Sequence, residues 1–208
     1  MLKTWLKRTG FAFLVILLGL FLGRSAILRH FEPTFLTTGP NGPETPAAVG
    51  LALERIQIPS SGGALDGYLV EAAPDCQPRT AVLIFHGVME TISEWVKAQR
   101  FLYDHCISSV VFDYSGRGDG TRPGTIPHLS QDSSAAYSWF AARFAGEKDI
   151  RLCTLGHSMG NGTMLEAAPS FRPAPACIVV ANAFCSLRDE GGITLHGPLK
   201  LLLYLMPE

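Results

Sequence analysis

Leu155-Gly156-His157-Ser158-Met159-Gly160 is the stretch on which the reading of this chain turns. The apolar run before it, Arg151 to Leu155, reads as a strand, and Ser158 to Ala168 reads as a helix. The backbone must therefore reverse sharply at Ser158. Glycines two residues before and two residues after the serine keep such a turn free of clashes, and the turn lifts the serine hydroxyl above the strand end. The N–H of Met159 opens the helix and points into the same space. A Gly-x-Ser-x-Gly match is weak by itself in a chain with 21 glycines. Its place between a strand and a helix gives it weight. Ser158 is the candidate nucleophile, and the Met159 N–H a candidate oxyanion donor.

Three further short apolar runs lie along the chain. Ala81 to Phe85, Ser109 to Phe112 and, beyond the serine, Cys177 to Ala181 are continuous, β-branched-rich and bounded by turn residues. Such runs suit strands buried on both faces, as in a parallel sheet. Ser93 to His105 and Gln131 to Ala145 read as helices between them, and the alternation implies a doubly wound sheet. Leu53 to Ile58 and Leu65 to Glu71, separated by a turn at Ser60 to Gly63, read as a hairpin. His86-Gly87-Val88 follows the Ala81 strand. A turn at the carboxyl end of a parallel strand faces the ligand crevice, so the Val88 N–H is the second candidate oxyanion donor. His86 and His157 read as loop-ordering rather than catalytic histidines. Asp113 to Gly120, a polar glycine-rich loop after the Ser109 strand, reads as structural, shaping the crevice.

Composition narrows the function classes. The 208 residues carry a net charge of −1, with 47% apolar and 17% charged residues. No basic stripe is present, so nucleic acid is not an expected partner. No ligand-spaced His/Asp cluster or phosphate loop appears, so neither a metal nor a nucleotide cofactor is expected. The five cysteines, Cys76, Cys106, Cys153, Cys177 and Cys185, match no zinc spacing. They read as buried free thiols, with a disulfide left open should the domain face an oxidising compartment.

The N-terminus has its own character. Lys3, Lys7 and Arg8 precede an uncharged run from Gly10 to Gly23, closed by Arg24. The run is short of the roughly 20 apolar residues of a full span, but flanking residues extend it. Its best cleavage site, Gly23-Arg24-Ser25, is poor. The expectation is an uncleaved single-pass anchor with the domain on the extracytoplasmic side, a cleaved signal peptide being the alternative. Residues 31–50, rich in proline and glycine, read as a linker. The expected organisation is therefore 1–30 anchor or signal, 31–50 linker and 51–208 catalytic-type domain.

A strand ending in His86-Gly87, a strand ending in Asp113-Tyr114-x-Gly116-x-Gly118, the Gly156-His157-Ser158-Met159-Gly160 turn and the later Phe184-x-Ser186-Leu187-Arg188-Asp189 segment, in that order, resemble the α/β-hydrolase family. The chain is similar to its membrane-anchored branch, which includes lysophospholipases, acylglycerol lipases and protein depalmitoylases. The resemblance covers residues 51–195 and implies a serine hydrolase acting on carboxylic ester or thioester bonds of lipid-like acyl substrates, without a cofactor. It also implies an acid and a histidine after the serine. Only residues 182–208 follow the last strand, too few for another strand-helix-strand unit. His196 is the one histidine beyond Ser158 and a weak base candidate, and Asp189 is a weak acid candidate. The expected fold is thus a mostly parallel, doubly wound α/β-hydrolase sheet lacking its last strands and helices, plus the N-terminal membrane helix. Cys177 to Ala181 would then form an exposed apolar edge that invites association. A fragment, a frameshifted product or a partner-dependent chain would fit this pattern. So would a catalytically incomplete remnant that binds without turnover.

Overall fold

A computed structural model describes residues 36–184 except 62, 78, 121 and 122, together with 15, 18, 19, 22, 23, 26, 29, 30, 33 and 34. One compact unit runs from Pro33 to Ala183, and the architecture below belongs to it. Most of the 10–23 run lies outside the described residues, and so does everything from Cys185 onward, including Asp189 and His196. Among the described residues no helix is long and apolar enough to cross a membrane.

Six strands form one mixed sheet: β1 (Glu54–Ser60), β2 (Gly63–Val70), β3 (Thr80–Phe85), β4 (Ile107–Phe112), β5 (Arg151–His157) and β6 (Cys177–Ala181), in the order β1-β2-β4-β3-β5-β6. The hairpin β1–β2 and the β2–β4 pair are antiparallel. β4, β3, β5 and β6 are mutually parallel. Helices α1 (Val96–Asp104), α2 (Ile126–Arg143) and α3 (Met159–Ala167) connect the parallel strands.

Alternation within the central strands builds two cores. Ala81, Leu83 and Phe85 of β3, with Val110 and Phe112 of β4, face α2 and α3, where Leu129, Tyr137, Phe140 and Met164 meet them. Val82 and Ile84 of β3 and Val111 of β4 face the other way, against Val96 at the start of α1 and Ile92 in the turn before it. Successive side chains of a strand point to opposite faces, so a continuous apolar run stays dry only with helices on both sides. Phe85, Phe112 and Phe140 are fully buried, each contributing about 2–3 kcal/mol relative to exposure. Phe85 meets Phe112 edge-on at 5.5 Å.

Three differences from the sequence reading have physical causes. α2 begins at Ile126, ahead of the expected Gln131. Pro127 reads as a breaker, but proline in the first turn of a helix removes only a donor that has no partner there, and Thr125 accepts from the His128 N–H as the cap. The proline-rich stretch expected as a linker lies on the domain: Leu36 packs on the main core, Thr38 N–H donates to Gly116 O, and Ser93 Oγ donates to Gly42 O. The free-thiol reading is corrected, because Cys76 bonds to Cys106 and Cys153 to Cys177. The β5–β6 register puts Cys153 directly opposite Cys177, a proximity invisible before strand pairing is known.

β6 stands at a sheet edge among the described residues. Its Ile178, Val179 and Val180 are 43%, 45% and 48% exposed, in contrast to the buried centre of β3.

Candidate active site

The carboxyl ends of β3 and β5 are neighbours, with Phe85 paired to Gly156. The turns that follow them therefore sit side by side, and they carry the residues that the sequence singled out.

Ser158 joins β5 to α3 with φ 51° and ψ −121°. A side-chain-bearing residue in such a conformation stores about 1–3 kcal/mol and persists only where its surroundings hold it. The surroundings are on both sides. A Cβ on Gly156 would lie 2.6 Å from Asn161 Oδ1 and 2.9 Å from its Cα. A Cβ on Gly160 would collide with Phe85 O. Both glycines thus allow a close approach of backbones that any larger residue prevents. Ser158 N–H donates to Ala181 O on β6 (3.1 Å). Asn161, almost fully buried, donates from Nδ2 to Ser158 O (3.1 Å) and to Ala181 O (2.7 Å). Sequence reasoning missed Asn161. Its signal was an amide side chain in the first turn of the helix that follows the serine. Met159 is the first residue of α3, where backbone N–H groups have no partner within the helix.

Val88 lies in the turn after β3, and its side chain packs on the main core. Among the described residues its N–H is bonded to no acceptor. His86 is fully buried; its Nδ1 lies 2.9 Å from Gly87 O, and Nε2 stands 3.4 Å from Asp113 Oδ1 without hydrogen-bond geometry. That burial shuts it away from any substrate. His157 is partly exposed and held at both ring nitrogens, Nδ1 by Glu90 (3.0 Å to Oε1) and Nε2 by Asn182 Nδ2 (2.9 Å). Among the described residues no histidine nitrogen is bonded to Ser158 Oγ, and no group of three His, Cys, Asp or Glu gathers around a metal-sized site.

The Asp113 loop braces this end of the sheet. Asp113 Oδ1 accepts from Ile92 N–H (2.9 Å), Ser115 N–H donates to Asp132 Oδ2 on α2 (2.8 Å), and Tyr114 OH shares a 2.8 Å hydrogen bond with Thr163 Oγ1 on α3. Complete burial pushes the Tyr114 hydroxyl far above the ordinary phenol value, the Thr163 bond opposing it, so the hydroxyl stays neutral. Arg117, also fully buried, has no hydrogen-bond partner for its guanidinium among the described residues. Burial lowers its value, with Tyr114 and Asp113 acting in the opposite sense.

The sequence matches the family described as serine aminopeptidase, S33, over residues 76–208. No curated protein matches it. Among solved structures, an esterase of Pyrococcus furiosus superposes with a TM-score of 0.61 at 19% identity, over 83% of this chain and 69% of that one. A thermophilic carboxylesterase cloned from a metagenomic library gives 0.54 at 22% identity, over 76% and 60%. A carboxyl esterase of Bacillus coagulans gives 0.52 at 15%, over 74% and 51%. The chain thus spans about half to about two thirds of the length of these structures, and at such identities the likeness speaks to fold. With strand order, the turn at Ser158 and the family match in agreement, the chain belongs to the α/β-hydrolase family described as serine aminopeptidase, S33.

Proposed function

We propose that the chain is a serine hydrolase of carboxylic esters or thioesters, with Ser158 as nucleophile. The observation that carries this is the strained Ser158, held between two glycines that no larger residue can replace, beside a turn with an unbonded Val88 N–H. Ser158 Oγ attacks the acyl carbon as a base takes its proton. The carbonyl π electrons move to oxygen, and the N–H groups of Val88 and Met159 stabilise that oxyanion. Two such donors are worth several kcal/mol of barrier. Collapse expels the alcohol or thiol, which regains the proton, and water then hydrolyses the acyl-enzyme. A serine hydroxyl at its free pKa needs this base. Among the described residues none is bonded to it, so Asp189 and His196 remain the acid and base candidates within the chain. A lipid-like acyl group is the substrate class we favour, on the resemblance to the lysophospholipase and depalmitoylase branch. The anchor expected at 10–23 would bring the site to membrane-borne acyl chains, and carbonate extraction of membranes from expressing cells tests it.

A second reading is a binding module with the scaffold but no turnover. One experiment separates the two. Purified chain and Ser158→Ala are exposed to a fluorophosphonate probe and then to medium-chain acyl esters. Labelling and hydrolysis that vanish in the alanine form support the hydrolase. No labelling of the wild-type chain refutes it, and acyl-ester binding without turnover then supports the module.

A further inference from the structure

Glu90 gathers hydrogen-bond donors from three separate segments onto one carboxylate. Its Oε2 accepts from Gly87 N–H at 2.6 Å and from Trp95 Nε1–H at 3.1 Å. His157 Nδ1 lies 3.0 Å from Oε1 and 3.2 Å from Oε2. Gly87 belongs to the turn after β3, Trp95 to the 3-10 turn Ile92–Trp95 that leads into α1, and His157 to the end of β5, one residue before Ser158. An ordinary surface glutamate is solvated and touches nothing in particular. This one is three-quarters covered, and so is His157.

The details agree with a built arrangement. Asn182 Nδ2 reaches His157 Nε2, so a neutral imidazole carries its proton on Nδ1, facing the carboxylate. The Trp95 ring meets the His157 ring edge-on at 5.7 Å and covers the pair. A Cβ on Gly87 would stand 3.1 Å from Glu90 Oε2 and 3.3 Å from His157 Nδ1, so a side chain there would press on both groups. All three partners are donors. A carboxylate, which only accepts, satisfies them together.

The turn is closed twice, by Glu90 N–H to Gly87 O (3.4 Å) and by Gly87 N–H to Glu90 Oε2. Val88 lies between the two closures. Its N–H direction is therefore set by the Glu90 side chain, and the same side chain ties that direction to the residue preceding Ser158. We infer that Glu90 is a positioning residue which, through Gly87 and His157, holds the Val88 N–H in register with Ser158 for oxyanion stabilisation. This rests on the proposed hydrolase function and adds to it the part that aligns the two turns.

The test compares wild type, Glu90→Ala and Glu90→Gln. An oxyanion donor acts in the transition state, so its displacement lowers kcat and spares KM. Glu90→Ala is expected to reduce kcat by about 10–100-fold, less than the 10²–10³ of deleting a donor outright, because the N–H remains but is misaimed. KM should stay within about threefold. Glu90→Gln should recover part of the loss: its carbonyl still accepts from Gly87, and its amide can donate to Nδ1 of the other imidazole tautomer. A Glu90→Ala protein with lower thermal stability but unchanged kcat would make Glu90 merely structural and overturn the inference. Amide hydrogen exchange at Gly87 and Val88 reads the clamp whatever the activity. Exchange at Gly87 faster by about tenfold or more in Glu90→Ala supports it, and equal exchange overturns it. A wild-type chain without Ser158-dependent labelling sinks the proposed function alone, and the exchange result still decides the clamp.

Discussion

Gly160→Ala is the substitution whose effect the structure specifies most fully. The new methyl carbon would run into Phe85 O and stand 2.5 Å from Phe85 C and 2.7 Å from His86 O. An ordinary van der Waals contact begins at 3.4 Å, so the carbonyl carbon alone demands a retreat of 0.9 Å. Every obstructing atom is backbone at the end of β3, in the middle of the sheet, so no side-chain rotation relieves the clash. The first turn of α3 must move instead, and Met159 and Ser158 with it. Overpacking of a filled site costs about 1–3 kcal/mol, and a rigid backbone obstacle puts this case at the upper end, about 3 kcal/mol. For a chain of this size that is a fall in thermal midpoint of about 6–12 °C. A displacement near 1 Å at a reacting group also costs about 10²-fold in rate. Gly162→Ala is the control: it lies in the same helix, exposed, with nothing within 4 Å of its added carbon. Exchanging glycine for alanine there should stabilise by about 0.5–1 kcal/mol. Thermal unfolding followed by circular dichroism, with fluorophosphonate labelling rates, measures both. A Gly160→Ala protein that unfolds within about 1 °C of wild type and labels at the same rate would refute the close-approach argument.

Two other expectations concern stability. Alkylation without reduction, followed by peptide mass spectrometry, should find Cys76 linked to Cys106 and Cys153 to Cys177, and reduction should then remove about 3–4 kcal/mol per bridge, given loops separated by 30 and 24 residues; alkylation of Cys76, Cys106, Cys153 and Cys177 in the unreduced protein would contradict the pairing. Glu94 should contribute to the acid side of the stability profile. Its partial burial would raise its pKa, but hydrogen bonds from Thr91 Oγ1 and Thr91 N–H, both 2.7 Å, prevail and hold it below the ordinary value. A carboxyl lower in the folded than in the unfolded chain adds stability above the unfolded value of about 4.3, and that stability is lost as pH falls through the folded one. Urea unfolding across that window should show a shallower acid-side slope in Thr91→Ala, and identical slopes would reject the assignment.

Much of the scaffold was legible because it depends on local rules. The continuous apolar runs ending at Phe85, Phe112 and Leu155 were recognisable as strands buried on both faces, and all three are strands with largely buried positions. The serine turn was legible because its glycines and its strand-helix setting are contiguous. The start of α2 was not, since Pro127 has opposite meanings inside a helix and in its first turn, and only the Thr125 cap decides between them. The stretch from Pro33 to Val49 misled for a similar reason: proline and glycine exclude regular structure but say nothing of whether the chain lies on a surface, as Leu36, Thr38 and Gly42 do.

By itself, then, the sequence determined the alternation of strands and helices, the family resemblance and the identity of Ser158, Val88 and Met159 as site candidates, because each is written in neighbouring residues. The tertiary structure alone decided the rest of the site. Residues 90, 157 and 182 meet only because β3 and β5 are adjacent and β6 pairs beside β5. The same pairing brings Cys153 opposite Cys177 and lets Asn161 reach both Ser158 and Ala181. Contacts across such distances in sequence depend on strand order and register, and no local pattern encodes which strand will be whose neighbour.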